Sequence, residues 1–179
     1  MKPLAAVVLL VATVGAVATA AQRIFTKPGP DAELRQLFPS AAAFSGLEGQ
    51  PLHFTAYRTD PEQDPSAEPL GIAFWTTDLV PDERGYHGPI HVLVGMDFRG
   101  TIIGVVVVHD TEPYGYFSVQ LPEFAAQFAG KSLRDPFRVG EDIDAISRAT
   151  ITLSSATRAI RDSTRMVARQ IIAPAAGQP

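Results

Sequence analysis

Two long hydrophobic runs, separated by a short polar turn, give the clearest structural signal along the chain. The runs are Ile90–Met96 (IHVLVGM) and Thr101–His109 (TIIGVVVVH), and Asp97–Gly100 lies between them. Runs rich in β-branched residues on either side of a turn that ends in glycine predict a β-hairpin. The second run is apolar on both faces, so we expect it to form a central strand covered on both sides.

The remaining hydrophobic pattern predicts shorter strands and three helices. Further strands are expected at 53–58 and 70–77, with the Pro-rich acidic loop 60–69 between them. Helices are expected at 32–38 with Asp31 as N-cap, at 121–129 with Gly130 at the C-terminal stop, and at the C-terminal end of the chain, where Ser154 and Ser155 would cap the last helix.

The N-terminus carries an uncharged run of 19 residues, Pro3–Ala21. As a helix, this run would span a hydrocarbon core of about 30 Å, so it predicts a single membrane anchor. A cleaved signal peptide is the alternative, because Lys2 and the Ala18–Ala20 sequence (ATA) fit such a segment. A buried soluble helix is a third interpretation. The anchor implies a single-pass protein of the cytoplasmic (inner) membrane, with the rest of the chain on the periplasmic or outer side.

Composition restricts the chemistry of the protein. Lys and Arg number 15 against 19 Asp and Glu, a net charge of −4, so no nucleic-acid partner is expected. The chain has no cysteine, which excludes disulfides, thiolate metal sites and cysteine-ligated iron–sulfur clusters. The four histidines lack an acidic cluster at ligand spacing, so no metal site is predicted. Redox chemistry would therefore need a bound organic cofactor.

A polar motif, Asp144–Thr152 (DAISRATIT), stands at the predicted start of the last helix. Ser and Thr are common at helix starts, so an ordinary cap is one interpretation. A helix N-terminus also presents free N–H groups that suit a phosphate. A hydroxyl at this position could carry a phosphate as a diester as well as hydrogen-bond to it.

This motif resembles the flavinylation sequence Asp-x-x-Ser/Thr-Gly-Ala-Thr of the FMN-binding domain family. That family includes the G subunit of the Rnf electron-transport complex, the C subunit of the sodium-pumping NADH:quinone oxidoreductase and the flavin domain of NosR-type membrane proteins. The similarity extends to Gly85–Ile90 (GYHGPI), to the hairpin, to His109–Gly115 (HDTEPYG) and to Phe124–Lys131 (FAAQFAGK). Together these segments cover about residues 85–161.

The resemblance implies an α+β fold, with a twisted, mainly antiparallel sheet flanked by helices and preceded by one N-terminal transmembrane helix. Together with the hydrophobic pattern, it divides the chain into an anchor or signal peptide at 1–22, a connector with a short helix at 23–52, an expected FMN-binding domain at 53–172 and a flexible tail at 173–179.

The resemblance further implies that Thr150 carries FMN through a phosphoester bond. Thr152 is the rival hydroxyl in the same turn. By the resemblance, a flavin transferase that uses FAD would recognise Asp144, Ser147 and Ala149. The residues expected near the cofactor are Ile151, Thr152 and the flavin-facing loop of Glu112, Pro113 and Tyr114. Arg148 departs from the family, which has glycine at that position. Its side chain could crowd the transferase or place a cation near the flavin phosphate.

The function implied is that of a membrane-anchored flavoprotein that relays electrons, as an electron-transfer subunit and not as a complete enzyme. Its expected partners are the other subunits of a membrane redox complex, the flavin transferase and the lipid bilayer. Two alternatives stay open. One is an accessory subunit that kept the fold and lost the flavin, and the other is a redox regulator of the NosR type.

Overall fold

The computed structural model describes residues 29–173, which form one five-stranded antiparallel sheet with helices packed on it. The strands are β1 (Ala43–Phe44), β2 (Phe54–Tyr57), β3 (Pro69–Trp75), β4 (His91–Met96) and β5 (Ile102–His109), and they neighbour one another in chain order. The helices are α1 (Asp31–Leu37), α2 (Thr76–Leu79), α3 (Pro122–Ala126) and α4 (Thr150–Val167), with a 3₁₀ turn at Gly115–Phe117 and a π-helical end at Ala168–Ile172. The α+β class and the antiparallel sheet are confirmed.

The predicted hairpin is present as β4 and β5, with register pairs such as Leu93 with Val106 and Val94 with Val105. Gly100 in the connecting turn has a φ of 83°, a conformation that glycine adopts without strain. The prediction that the second run is a central strand was wrong, because β5 is an edge strand of the sheet. Both α1 and α3 contact β5, but within this strand only Ile102 and Val105 are buried, and Ile103 is exposed.

Two hydrophobic clusters lie on opposite faces of the sheet because successive strand residues point to opposite sides. In β4, Val92, Val94 and Met96 join the cluster under α4 and α3, whereas Leu93 joins the cluster under α1. The segment before residue 53 thus contributes α1 and β1 to the same sheet and core.

Helix boundaries differ from the prediction at three points. The last helix begins at Thr150, and Ser154 and Ser155 lie inside it instead of capping it. With this earlier start, Leu153 lies in the first turns of the helix and is fully buried in the core. Asp31 lies in the first turn of α1, with Pro30 at the N-cap. The helix expected at 121–129 is regular only over Pro122–Ala126 and continues as turns to Gly130, whose φ is 80°.

The predicted anchor at Pro3–Ala21 lies outside the residues that the structure describes. Within residues 29–173, no helix combines the length and the apolar character that crossing a membrane would require.

Candidate functional site

A cavity of about 510 Å³ opens at the N-terminal end of α4, within the size range of small-molecule sites. Three segments form its wall: the turn before β4, the loop after β5 and the first turn of α4. The residues that line it are Tyr86, His87, Pro113, Tyr114, Arg148, Thr150, Ile151 and Thr152. Six of these eight were predicted site residues, so the fold brings together positions that are widely separated in the sequence.

Glu112 connects the three wall segments through hydrogen bonds. Its carboxylate is 7% exposed and accepts hydrogen bonds from the backbone N–H groups of Tyr86 and His87, both at 2.8 Å. The same carboxylate accepts a short hydrogen bond from the Thr152 hydroxyl on α4. Gly85 permits this approach, since a Cβ there would lie 2.6 Å from the Glu112 carboxyl carbon. The side chain predicted to face the flavin therefore points into the wall behind the cavity.

The hydrogen bonds to Glu112 keep its carboxylate ionised. Burial raises the pKa of Glu112, but the hydrogen bonds from the Thr152 hydroxyl and from the N–H groups of residues 86 to 88 outweigh burial and hold the pKa below its ordinary value. The negative charge of Glu112 is thus stabilised by donors within the protein.

The two candidate hydroxyls on α4 have different environments. Thr152 is 3% exposed, and its hydroxyl donates to Glu112. Thr150 is exposed, and its hydroxyl makes no hydrogen bond within the described part of the chain. No side chain caps α4, whose N-cap residue is Ala149. The unpaired N–H groups and the helix dipole at such an end attract an anion such as a phosphate.

Arg148 adopts a left-handed backbone conformation, with a φ of 71°. In residues 29–173, the other non-glycine residue with positive φ is Phe137, at 52°. The chain therefore keeps at position 148 the backbone shape for which glycine is suited, although the side chain is arginine.

The remaining predicted residues lie outside the cavity wall. Asp144 and Ser147 are not buried, and the Asp144 N–H donates to the side chain of Gln127 at 2.6 Å. Ala149 is 1% exposed and packs in the core. These three residues frame the segment that leads into α4.

Two lining residues, Tyr86 and His87, were absent from the predicted site. Their segment, GYHGPI, is part of the family resemblance. Its sequence does not show the hydrogen bond between Tyr86 and Glu112, which lies 26 residues later in the chain. The rings of Tyr86 and His87 are 5.0 Å apart between centroids, and Tyr86 is 64% exposed. With Tyr114, they give the cavity an aromatic wall.

Comparison with known families identifies this part of the chain. Residues 85–165 match the FMN-binding domain family. The match begins at the turn that Glu112 holds and ends within α4, so it encloses the whole cavity wall. The resemblance is confirmed, and it points to FMN as the cofactor of this domain.

Curated relatives extend the match beyond the domain. Over 112 residues the chain is 31% identical to the G subunit of the ion-translocating oxidoreductase complex of Vibrio atlanticus (strain LGP32), and the alignment covers 57% of this chain and 52% of that protein. The corresponding subunits from Escherichia coli (strain K12) and Erwinia tasmaniensis are both 33% identical, over 87 and 107 residues. These two alignments cover 43% and 54% of this chain and 42% and 49% of the relatives. The chain spans about half the length of the curated relatives it matches.

The segment that matches the FMN-binding domain family has features that suit FMN. The uncapped end of α4 suits the phosphate, and the wall of Tyr86, His87, Pro113 and Tyr114 suits a flat aromatic ring system. The buried polar atoms of the wall, on Glu112 and Thr152, satisfy each other, so they do not compete for the cofactor.

Proposed function

We propose that this protein is a flavoprotein that carries FMN on Thr150 and relays electrons as a subunit of a membrane redox complex. The observation that carries the proposal is the exposed Thr150 hydroxyl at the uncapped start of α4, inside the cavity of the FMN-binding domain. When bound, FMN supplies reversible transfer of one or two electrons, which no side chain of this cysteine-free chain supplies.

The residues around Thr150 would bind different parts of FMN. The first N–H groups of α4 would hold the phosphate, and Tyr86, His87, Pro113 and Tyr114 would flank the ring system and exclude water from one side of it. Glu112 would hold the wall in place, and Ile151, which is 57% exposed, would add apolar contact area. Covalent attachment would keep the cofactor from diffusing away.

The attachment would use FAD as donor and a flavin transferase as catalyst. The Thr150 Oγ1 would bond to the phosphorus of the FMN half, the pyrophosphate bond would break, AMP would leave and the hydroxyl proton would be released. Exposure favours Thr150 over Thr152 as the acceptor, because a transferase can reach only an accessible hydroxyl. Asp144, Ser147 and Ala149 precede the acceptor in the order that the family motif requires.

The same proposal includes a membrane anchor and protein partners. The run Pro3–Ala21 would anchor the chain, with the FMN-binding domain on the periplasmic side. The names of the relatives, subunits of an ion-translocating oxidoreductase complex, support other subunits as partners. We expect the full chain to stay in the membrane fraction after alkaline extraction and a variant without residues 1–22 to be released. Release of the mature full chain would contradict the anchor.

The attachment site can be tested by mass spectrometry of the full chain, produced together with a flavin transferase. Trypsin would release Ala149–Arg158, which contains both threonines, so fragmentation assigns the adduct to one of them. We expect the wild type to carry FMN less water on Thr150. Thr150→Val would lose the adduct, and the matched control Thr152→Val would keep it. An adduct on Thr152, or none on the wild type, would contradict the proposal.

A flavin-free accessory subunit is the second candidate, since Arg148 replaces the glycine of the family motif. The positive φ of Arg148 argues against it, because the backbone at this position has the conformation that glycine favours. A colourless protein without covalent or releasable flavin, purified from a host with an active transferase, would favour this alternative.

A further inference from the structure

Arg148 holds a backbone conformation that no packing of its own side chain requires. In residues 29–173, the other non-glycine residue with positive φ is Phe137, and its side chain is 2% exposed and stacks on Phe128 in the core. The side chain of Arg148 is exposed and lines the cavity beside Thr150. Strain of this kind is concentrated at functional sites, where it places a group that the site uses.

The charge of Arg148 is unpaired within the described part of the chain. Along α4, by contrast, Arg158 binds Glu83 at 2.6 Å and Arg161 binds Asp162 at 2.7 Å. Arg148 therefore adds a free guanidinium to a helix end that already carries a positive dipole. The buried acid of the wall, Glu112, is saturated by donors from the turn and from Thr152.

We propose that Arg148 binds the phosphate of the flavin nucleotide, so that the cavity favours FMN over riboflavin independently of the covalent bond. This inference rests on the proposed flavin site at Thr150. The guanidinium and the N–H groups of α4 would both bind the phosphate, and charge-assisted hydrogen bonds of this type are strong. Arginine is the suitable residue, because its planar fork matches phosphate oxygens. The departure from the family glycine is thus an added recognition group.

The test uses the full chain in detergent with Thr150→Val, which removes covalent attachment. FMN and riboflavin are titrated separately and followed by flavin fluorescence, first with Arg148 present. We expect FMN to bind at least about tenfold more tightly than riboflavin, and added inorganic phosphate to weaken FMN binding without affecting riboflavin. Equal affinity for the two flavins would overturn the inference and leave the flavin site standing.

Two variants separate charge from backbone shape. Arg148→Gln keeps the Cβ and a polar side chain but removes the charge, and Arg148→Gly removes the charge and relieves the strain. We expect both to lower FMN affinity at least about fivefold and to leave riboflavin affinity unchanged within about twofold. If Arg148→Gln keeps the preference for FMN, the inference is wrong. If no variant binds either flavin, the proposed flavin site fails together with it.

Discussion

The two faces of the sheet are packed by opposite means. On the α1 face, Gly95 and Gly104 pair across β4 and β5, and a Cβ at either position would lie 3.3 Å from Leu37. On this face, α1 therefore packs directly against the strand backbone. On the α4 face, Leu153 and Ile160 are fully buried, yet the first turn of the same helix leaves Thr150 and Ile151 exposed and uncapped. The α1 face is thus closely packed, whereas the α4 face combines a packed core with an uncapped helix N-terminus to which a ligand can bind.

The largest effect is expected from breaking the fit on the α1 face. In Gly71→Ala, the new Cβ would lie 2.5 Å from the backbone oxygen of Met96 and 2.8 Å from the Phe38 ring. A backbone neighbour cannot yield easily, so we expect the free energy of unfolding to fall by about 2–3 kcal/mol in urea titrations. Gly46→Ala is the control, because nothing lies within 4 Å of a Cβ there. Equal stability of the two variants would refute this account of the α1 face.

A slightly smaller effect is expected from loosening the cavity wall on the other face. Glu112→Gln places an amide N–H₂ against N–H donors of the turn, so the free energy of unfolding should fall by about 2 kcal/mol at neutral pH. The pKa of Glu112 is held below its ordinary value of 4.5, so its stabilising contribution is present above that pH and is lost as the pH falls through the folded-state pKa. The difference between wild type and variant should therefore shrink in acid, as measured by urea titrations from about pH 7 to about pH 3. A difference that does not change with pH would show that the charge of Glu112 is irrelevant.

The smallest expected change is an increase in the free energy of unfolding. Arg148→Gly removes the cost of a left-handed backbone at a residue with a Cβ, and its side chain is exposed, so we expect a gain of about 1 kcal/mol in thermal or urea unfolding. Phe137→Gly also relieves a positive φ, but it empties a buried ring position and should destabilise the protein. If Arg148→Gly lowers the stability of the flavin-free protein, the conformation at 148 is not strained.

The sequence predicted the hairpin closely because both strands are continuous runs of β-formers joined by a glycine turn. It misplaced β5 within the sheet, since apolar residues on both faces of a strand do not show whether the strand has a neighbouring strand on each side. It also placed the start of α4 too late, because Ser154 and Ser155 are good caps locally, whereas the burial of Leu153 in the core depends on tertiary packing.

The candidate site was predicted mainly through the family resemblance. Local residue types show that Thr150 and Tyr114 could bind a ligand, but they do not show that the two line one cavity. The contact of Glu112 with the turn at Tyr86 depends on the register of the hairpin between them, which no short motif encodes. The left-handed backbone of Arg148 was indicated only by the glycine of the related motif, because arginine itself has no preference for it.

The order of the strands in the sheet has a consequence for biosynthesis. Neighbouring strands are also consecutive in the chain, so the sheet can assemble stepwise as the polypeptide leaves the ribosome. The helix that bears Thr150 follows all five strands and completes the cavity only after the other two wall segments exist. Under the proposed attachment at Thr150, a chain truncated before α4 would therefore be unable to carry FMN.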